Sequence, residues 1–592
     1  MPVNRPRPEP SSHPISRRTV LRGSLIAAAA AGLPAVSPPV RAVAAGGGRS
    51  VAVFGGGVSG LTAAHELSER GYQVTVYEPV ALGGKARSMS VPGTGAGGRL
   101  DLPGEHGFRF FPGCYQHIPE TMSRIPFPGN ARGVADNLVR VQAATVAFRD
   151  LPPVVTPVEV GGLAEITPET LRTTLAAAVG LIPRLPPQEL ALFTQKMLRW
   201  FTSSTERRFG EWEYRSWAQV MEADGKSDAY REYLVNALTR ITVAAKPYRS
   251  SARTIGTIGE ALVLAGTGLV PQYGGGVDRI LNRPTNEAWI DPWVAHLRGL
   301  GVRFELGAKA IGLELDNGRI TSARVSGGAD GRVDADWYIC AMPVERAVPL
   351  LSDDILDADP RLAGMRDLEV DWMVGIQYYL TRPTDLPEGH IAALGTPWAL
   401  TALRQAAMWV GDFASRYGDG SVVECLSVDV SDWDTPGIVF GKSAKDCTKD
   451  EVAQEVWAQL SAWLNNSTGW LREDDIHSWF LDPGVHWTGG AATNDTPLLV
   501  NTIGSWDNRP EAATAIPNLF FAGDHVRTHI DLATMEGANE SGRAAANALL
   551  DAAGDPGSRA PIYPLYAPPV FEPLKALDAD RYRAGLPHLL DA

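Results

Sequence analysis

Three glycines and one acid carry the clearest chemistry in the chain. Gly55, Gly57 and Gly60 stand as G-x-G-x-x-G directly after the short apolar run 51–54, and Glu78 closes the next apolar run, 73–77. A missing Cβ lets the backbone turn sharply at Gly55, lets a pyrophosphate approach at Gly57, and lets helix lie on strand at Gly60. Val58 and Ser59, set between the glycines, open a helix whose first N–H groups face those phosphates. An acid where Glu78 stands accepts hydrogen bonds from both ribose hydroxyls. The glycines alone would be a glycine-rich turn. With strand, helix, second strand and acid in order, they make a dinucleotide site.

Two further stretches hold reactive side chains. Leu82-Gly83-Gly84-Lys85-Ala86-Arg87 offers a second close backbone approach at Gly84, with Lys85 or Arg87 to neutralise a pyrophosphate; otherwise it is a basic turn. The segment 104–113 mixes glycines and phenylalanines with Glu105, His106 and Arg109, and is either a packed loop or a wall facing the cofactor. The four cysteines form no C-x-x-C pair. A single Cys425–Cys447 disulfide stays open, and no His/Asp/Glu cluster has metal-ligand spacing, so no metal is expected.

The elements that must position these groups are legible in outline. Leu61, Ala64 and Leu67 recur at helical spacing, and Gly71 ends that helix. From about 130 to 255 the pattern is mostly helical, with helices over 168–179, capped by Thr167, and 189–203. Tyr273-Gly274-Gly275-Gly276 reads as a return to the nucleotide domain. A helix near 293–300, a hairpin turning at Asn317-Gly318, and a buried strand from Trp337 follow. Strands over 374–380 and 422–430 and a helix over 449–464 come next. The apolar strand 518–522 leads to Gly523-Asp524, and Met535-Glu536-Gly537 precedes a small-residue helix over 541–550. The last 40 residues are Pro-rich and carry no assigned chemistry.

Composition is that of an ordinary globular protein, 44% hydrophobic and 20% charged over 592 residues. A net charge of −13 argues against a nucleic-acid partner. Ser16-Arg17-Arg18-Thr19-Val20-Leu21, an apolar stretch over 25–33 and Ala42-Val43-Ala44 match a twin-arginine export signal over 1–45. That pathway carries folded proteins, which suits a chain that takes up its cofactor before export.

The motifs from Gly55 to Glu78, Gly83-Gly84 with Arg87, the strand at Ala310, and Phe520 to Asp524 through Met535-Glu536-Gly537 resemble the amine oxidase and phytoene desaturase superfamily of FAD enzymes. The resemblance implies an α/β chain, with a Rossmann-like domain of the glutathione-reductase type interleaved with an α+β substrate domain. By it, 50–130, 260–345 and 485–552 bind FAD without a covalent link, 131–259 and 346–484 hold the substrate, and 553–592 is a tail. It also implies contacts to FAD from Ala310, Asp524 and Met535, beside those from Glu78, Lys85, Arg87 and His106.

Within the superfamily, Gly104-Glu105-His106, Gly523-Asp524-His525 and Leu532-Ala533-Thr534-Met535 are most similar to the plant-type phytoene and ζ-carotene desaturases. The aromatic cage that amine oxidases build just before Met-Glu-Gly is absent, because Asp531 and Thr534 stand there. The resemblance therefore implies hydride removal from an apolar, isoprenoid or lipid-like substrate, with quinone or oxygen as acceptor and peripheral membrane contact. Glu105, His106 and Arg240 are the catalytic candidates, with Arg109, Arg527 and Asp531 also placed near the flavin. Two rivals stay open: an exported amine or amino-acid oxidase using oxygen, and a flavoprotein without turnover.

Overall fold

A computed structural model describes residues 48–158, 166–268, 270, 278–327 and 331–591. The expected export signal (1–45) and the glycine run 274–276 lie outside these residues. Ser50–Phe54 is apolar on both faces, and Val51, Ala52, Val53 and Phe54 are all buried, as a central parallel strand requires. The sheet around it runs Leu519–Phe521, Trp337–Cys340, Ser50–Phe54, Gln73–Glu78, Arg303–Leu306, parallel throughout. The helix Val58–Glu69 crosses back over this sheet, and Gly71 (φ +81°) follows its end. The later helix, expected over 541–550, begins earlier and runs Met535–Ala552. It lies against Val58–Glu69 so closely that a Cβ on Gly542 would sit 2.5 Å from the Ser59 carbonyl oxygen. The Asn317-Gly318 turn joins Lys309–Asp316 to Arg319–Ser326 with φ of +50° and +74°.

The second sheet has seven strands: Ile476–Leu481, Val374–Leu380, Glu424–Val430, Leu400–Arg404, His390–Ala393, Ala143–Phe148, Leu151–Pro157. Ile376, Tyr378, Leu426, Val428, Leu400 and Ala402 alternate onto one face and pack on the helix Lys449–Leu464, which Thr448 and Glu451 cap reciprocally. The opposite face is polar and also buried, carrying Gln377, Ser427 and Asp429.

One expectation needs correction. The stretch 130–255 contains the expected helices, as Pro168–Val179 and Pro187–Thr202, but before them come the short strand Leu138–Arg140 and two strands of the large sheet. Ala143–Phe148 reads AATVAF, too poor in large residues to show a strand period. The Pro-rich tail is structured. Its helix Glu572–Arg583 buries Asp578 against Arg207 (2.8 Å) and the Ser204 amide (2.8 Å). Cys425 and Cys447 are both free and buried, so no disulfide joins them.

Candidate active site

The end of the first strand makes an open crease. A Cβ at Gly55 (φ +111°) would lie 2.3 Å from the Ala341 carbonyl oxygen, and one at Gly60 would lie 1.9 Å from that of Gly55. These two glycines are required by the turn itself. Gly57 is different: a Cβ there would meet only the Gly84 Cα, at 3.8 Å. Its bareness serves the space in front of it. The helix Val58–Glu69 starts with no side-chain cap and no acid in its first turn, which leaves its first N–H groups for an anion. Ser59 turns away, its hydroxyl directed at the Ala341 carbonyl (3.4 Å).

Glu78 accepts the Gly56 N–H on one carboxylate oxygen and the Val80 N–H on the other, each at 2.8 Å, with lone pairs to spare. The Ala308 N–H reaches the Glu78 carbonyl (3.3 Å), so the strand that holds Ala310 begins beside it. Across the crease, a Cβ on Gly84 would lie 3.0 Å from the Gly57 Cα. Lys85 donates to the Pro497 carbonyl and Arg87 to the Gly84 carbonyl (2.9 Å).

From Lys85 a chain of contacts leads to the polar face of the large sheet. Arg109 donates to the Lys85 carbonyl (3.2 Å), and the strand Pro103–Glu105 lies flat on the face. The Tyr379 hydroxyl donates to the Pro103 carbonyl (2.9 Å), the Glu105 N–H to Gln377 (3.1 Å), and the Gly375 N–H to the His106 carbonyl (2.7 Å). Glu105 is 1% exposed and accepts the Thr285 N–H (3.0 Å) and hydroxyl (2.7 Å), with Arg109 at 3.6 Å. Burial raises its pKa, against Arg109 and Thr285. His106 bonds Asp482 through Nδ1 (2.8 Å); burial lowers the imidazole pKa, against that carboxylate.

The structure brings Glu105, His106 and Arg109 to one place but engages Arg240 elsewhere, with Asp432 (2.8 Å) and the Pro397 carbonyl. Four residues near this face escaped the sequence reading: Asp278, His390, Thr401 and Asp429. Asp429 Oδ1, Thr401 Oγ1, His390 Nε2 and Asp278 Oδ1 are buried without a hydrogen-bond partner. Burial pushes the Asp429 carboxyl up to about 7, against Arg109, the Phe108 amide and His390. Ser427 and Asp429 do alternate with Leu426, Val428 and Val430. That pattern normally signals a solvent face, which is why it carried no functional signal.

The loop before Met535 is set by charge. Asp531 is held by Arg509, by Arg253 (2.7 Å) and by the Thr254 hydroxyl (2.6 Å), and Arg253 also pairs with Glu213 (2.8 Å). Thr534 caps the helix by accepting the Gly537 N–H (3.0 Å). Arg527 donates to the Trp506 carbonyl (3.1 Å). Met535 is the first residue of the helix.

Glu536 accepts the amides of Gln116 (2.7 Å), His117 (2.7 Å) and Ile118 (3.0 Å) and the His117 ring (2.8 Å). Burial would raise its pKa, but His117 and those amides hold it below the ordinary value. A depressed carboxylate contributes stability above its unfolded pKa of about 4.3, and that stability is lost as pH falls through the folded value. Glu536→Gln is therefore expected to lower the calorimetric Tm at pH 7 and to flatten its decline below about pH 4. A parallel acid limb in the variant would show that Glu536 is not the titrating clamp.

With the geometry in place, the comparisons are direct. The model of flavin containing amine oxidoreductases matches residues 58–550. The chain belongs to that family. It is an FAD-dependent oxidoreductase. A carotenoid phi-ring synthase of Chlorobaculum tepidum is 24% identical over 310 residues, 51% of this chain but only 43% of the synthase. A 15-cis-phytoene desaturase of Synechococcus elongatus is 22% identical over 518 residues, 84% of this chain and 95% of the desaturase. Among solved structures, cyclohexylamine oxidase from Brevibacterium oxydans aligns with a TM-score of 0.55 at 14% identity, over 86% of this chain and 100% of that one. Wild-type putrescine oxidase aligns with a TM-score of 0.53 at 14% identity, over 86% and 98%. These structural likenesses concern the fold.

The residues present fit FAD. The crease at Gly57 is clear of side chains, the helix start is uncapped, and Glu78 is fixed at its edge. Further along, His525 is fully buried beside Gly523 with both ring nitrogens unpartnered, and burial lowers its pKa to about 4. Glu345 has an unpartnered Oε1, and burial raises its pKa, against the charge of Lys85. Orphaned buried polar atoms of this kind suit a polar ligand.

The group His65, Glu69 and His296 has metal-like proximity but a different logic. Trp293 Nε1–H donates to His65 Nδ1 (3.2 Å), which leaves the proton on Nε2 facing Glu69 (3.1 Å). That tautomer is a hydrogen-bond donor, not a ligand, at the position a metal would need.

Proposed function

We propose that the protein removes hydrogen from an apolar, isoprenoid- or lipid-like substrate and leaves a double bond. Its FAD is held without a covalent link, and its electrons pass to a quinone or to oxygen. The observation that carries this reading is the loop before Met535. At the two positions where an amine-binding cage would stand, Asp531 is locked by Arg509 and Arg253 and Thr534 is a helix cap. An amine loses its main reason to bind there. The match to the Synechococcus desaturase across most of both chains supports the same side.

FAD supplies the hydride acceptor. The protein's own part is to hold the dinucleotide at Gly57, Gly84 and Glu78, to seal the sheet face with the 104–109 segment, and to fix buried charge there. Arg240 acts through position, tying the helix Ala237–Val243 to Asp432 after the strand Glu424–Val430. The 1–45 segment directs the folded holoprotein through the twin-arginine route, and the mature protein meets its substrate at a membrane surface. No helix among the described residues is long and apolar enough to cross a membrane.

Buried Glu105 and Asp429 favour a second reading, an oxidase of amines using oxygen, because a cation could pair with either. Anaerobic bleaching of the purified holoenzyme decides between them. Polyprenoids in detergent are expected to reduce the flavin and short primary amines are not. Bleaching by short amines, with peroxide released in air, would overturn the proposal.

A further inference from the structure

The polar sheet face has a sharper consequence for the substrate. Thr401 and Asp429 are direct cross-strand neighbours, and His390 stands one strand further along the same side, opposite Leu403. Asp278 holds His390 Nδ1 at 2.7 Å. The 104–113 segment closes over them: a Cβ on Gly107 would lie 2.7 Å from Asp429 Oδ1, and the rings of Phe108 and Phe110 lie 5.3 and 4.9 Å from that of His390. Beside this polar group sits a small apolar cluster of Val141, Ile280 and Leu403, with Phe108 and Met408 packed on it.

A buried polar atom without a partner costs about 1–3 kcal/mol, and folded proteins keep few of them. Here four are gathered at one place, and Asp429 itself is only 6% exposed. A pure hydrocarbon brought to this face would leave all four unanswered. A hydroxyl or an amino group would donate to Asp429 Oδ1 and exchange a hydrogen bond with the Thr401 hydroxyl, while the apolar cluster took the adjoining carbon chain.

We propose that the substrate carries an O–H or N–H group at one end of its apolar body, received by Asp429 and Thr401 with His390 beside them. This rests on the reading of an apolar-bodied substrate given above. The polar end is bound and not transformed, so it sets which carbon lies over the flavin.

The test uses the holoenzyme and three probes built on one isoprenoid chain, namely the hydrocarbon, its primary alcohol and its primary amine, with a short-chain amine as the fourth. Anaerobic bleaching rate and half-saturating concentration are measured for each. The alcohol or the amine is expected to exceed the hydrocarbon by about 100-fold, mostly in half-saturating concentration. Thr401→Val, which keeps the side-chain shape, is expected to cut that preference about tenfold, and Asp429→Leu to abolish it.

If Asp429→Leu does not fold, Thr401→Val still decides. A hydrocarbon as good as the alcohol, or a preference untouched by Thr401→Val, would mean that ordered waters answer these atoms, and the inference falls while the apolar reading stands. Bleaching by the short amine alone removes the apolar reading instead. If no probe bleaches the flavin, both fall.

Discussion

Gly57→Ala is expected to yield a folded protein that purifies nearly free of flavin. The backbone at Gly57 is extended (φ −75°, ψ −175°), a conformation any residue adopts, and the new Cβ would meet only the Gly84 Cα at 3.8 Å. Nothing in the protein resists the methyl group. What it fills is the floor of the crease, where the pyrophosphate must touch backbone. Intruding a methyl group into a tight fit costs about 1–3 kcal/mol, or roughly 5- to 150-fold in Kd.

Gly60→Ala is the contrasting case. Its Cβ would lie 1.9 Å from the Gly55 carbonyl oxygen, so helix and strand must part and the fold itself should suffer. Flavin content by absorbance and Tm by calorimetry separate the two: flavin lost with Tm of the apoprotein kept for Gly57→Ala, both lost for Gly60→Ala. Full flavin occupancy in Gly57→Ala would remove the crease from the cofactor site.

This contrast also marks what the sequence could disclose. The glycines, Glu78 and the strand–helix–strand order are local, and each has a local physical cause, so they could be read in line. Thr167 likewise announces its helix from the capping side chain alone. The polar sheet face is different. Asp429 and Thr401 become neighbours only when Glu424–Val430 pairs with Leu400–Arg404, and they are buried only because 104–113 closes over them. No spacing within one strand tells a polar face under a loop from one in water. Arg240 shows the same limit: its partner Asp432 is distant in sequence, and an arginine in a helix reads alike whether it serves a flavin or an aspartate.

The second large effect is expected at Asp531→Ala, a loss of about 3–5 kcal/mol in unfolding free energy together with weaker flavin retention. Asp531 is the shared partner of Arg509 and Arg253, whose side chains are 1% and 4% exposed. Removing it leaves Arg509 with backbone carbonyls of Asp524, His525 and Val526 but no acid, and leaves Arg253 to Glu213 alone. An unpaired buried guanidinium cannot shed its proton, so the penalty stays in the fold. Those three carbonyls belong to the turn at Gly523-Asp524, which is how a charge lost behind the loop reaches the cofactor side.

The same reasoning predicts that Asp531→Phe will not recreate an amine cage. The aromatic ring would have to displace two arginines that stack on Trp506, 4.4 Å from Arg253 and 5.7 Å from Arg509. Its stability should fall at least as far as that of Asp531→Ala. The quadruple change Glu213→Gln, Arg253→Met, Arg509→Met, Asp531→Leu, which removes the charges together, should recover part of the loss. Denaturant midpoints of the four proteins test this order. A single variant within about 1 kcal/mol of the parent would show the network to be dispensable, and with it the structural reason for placing this chain apart from amine oxidation.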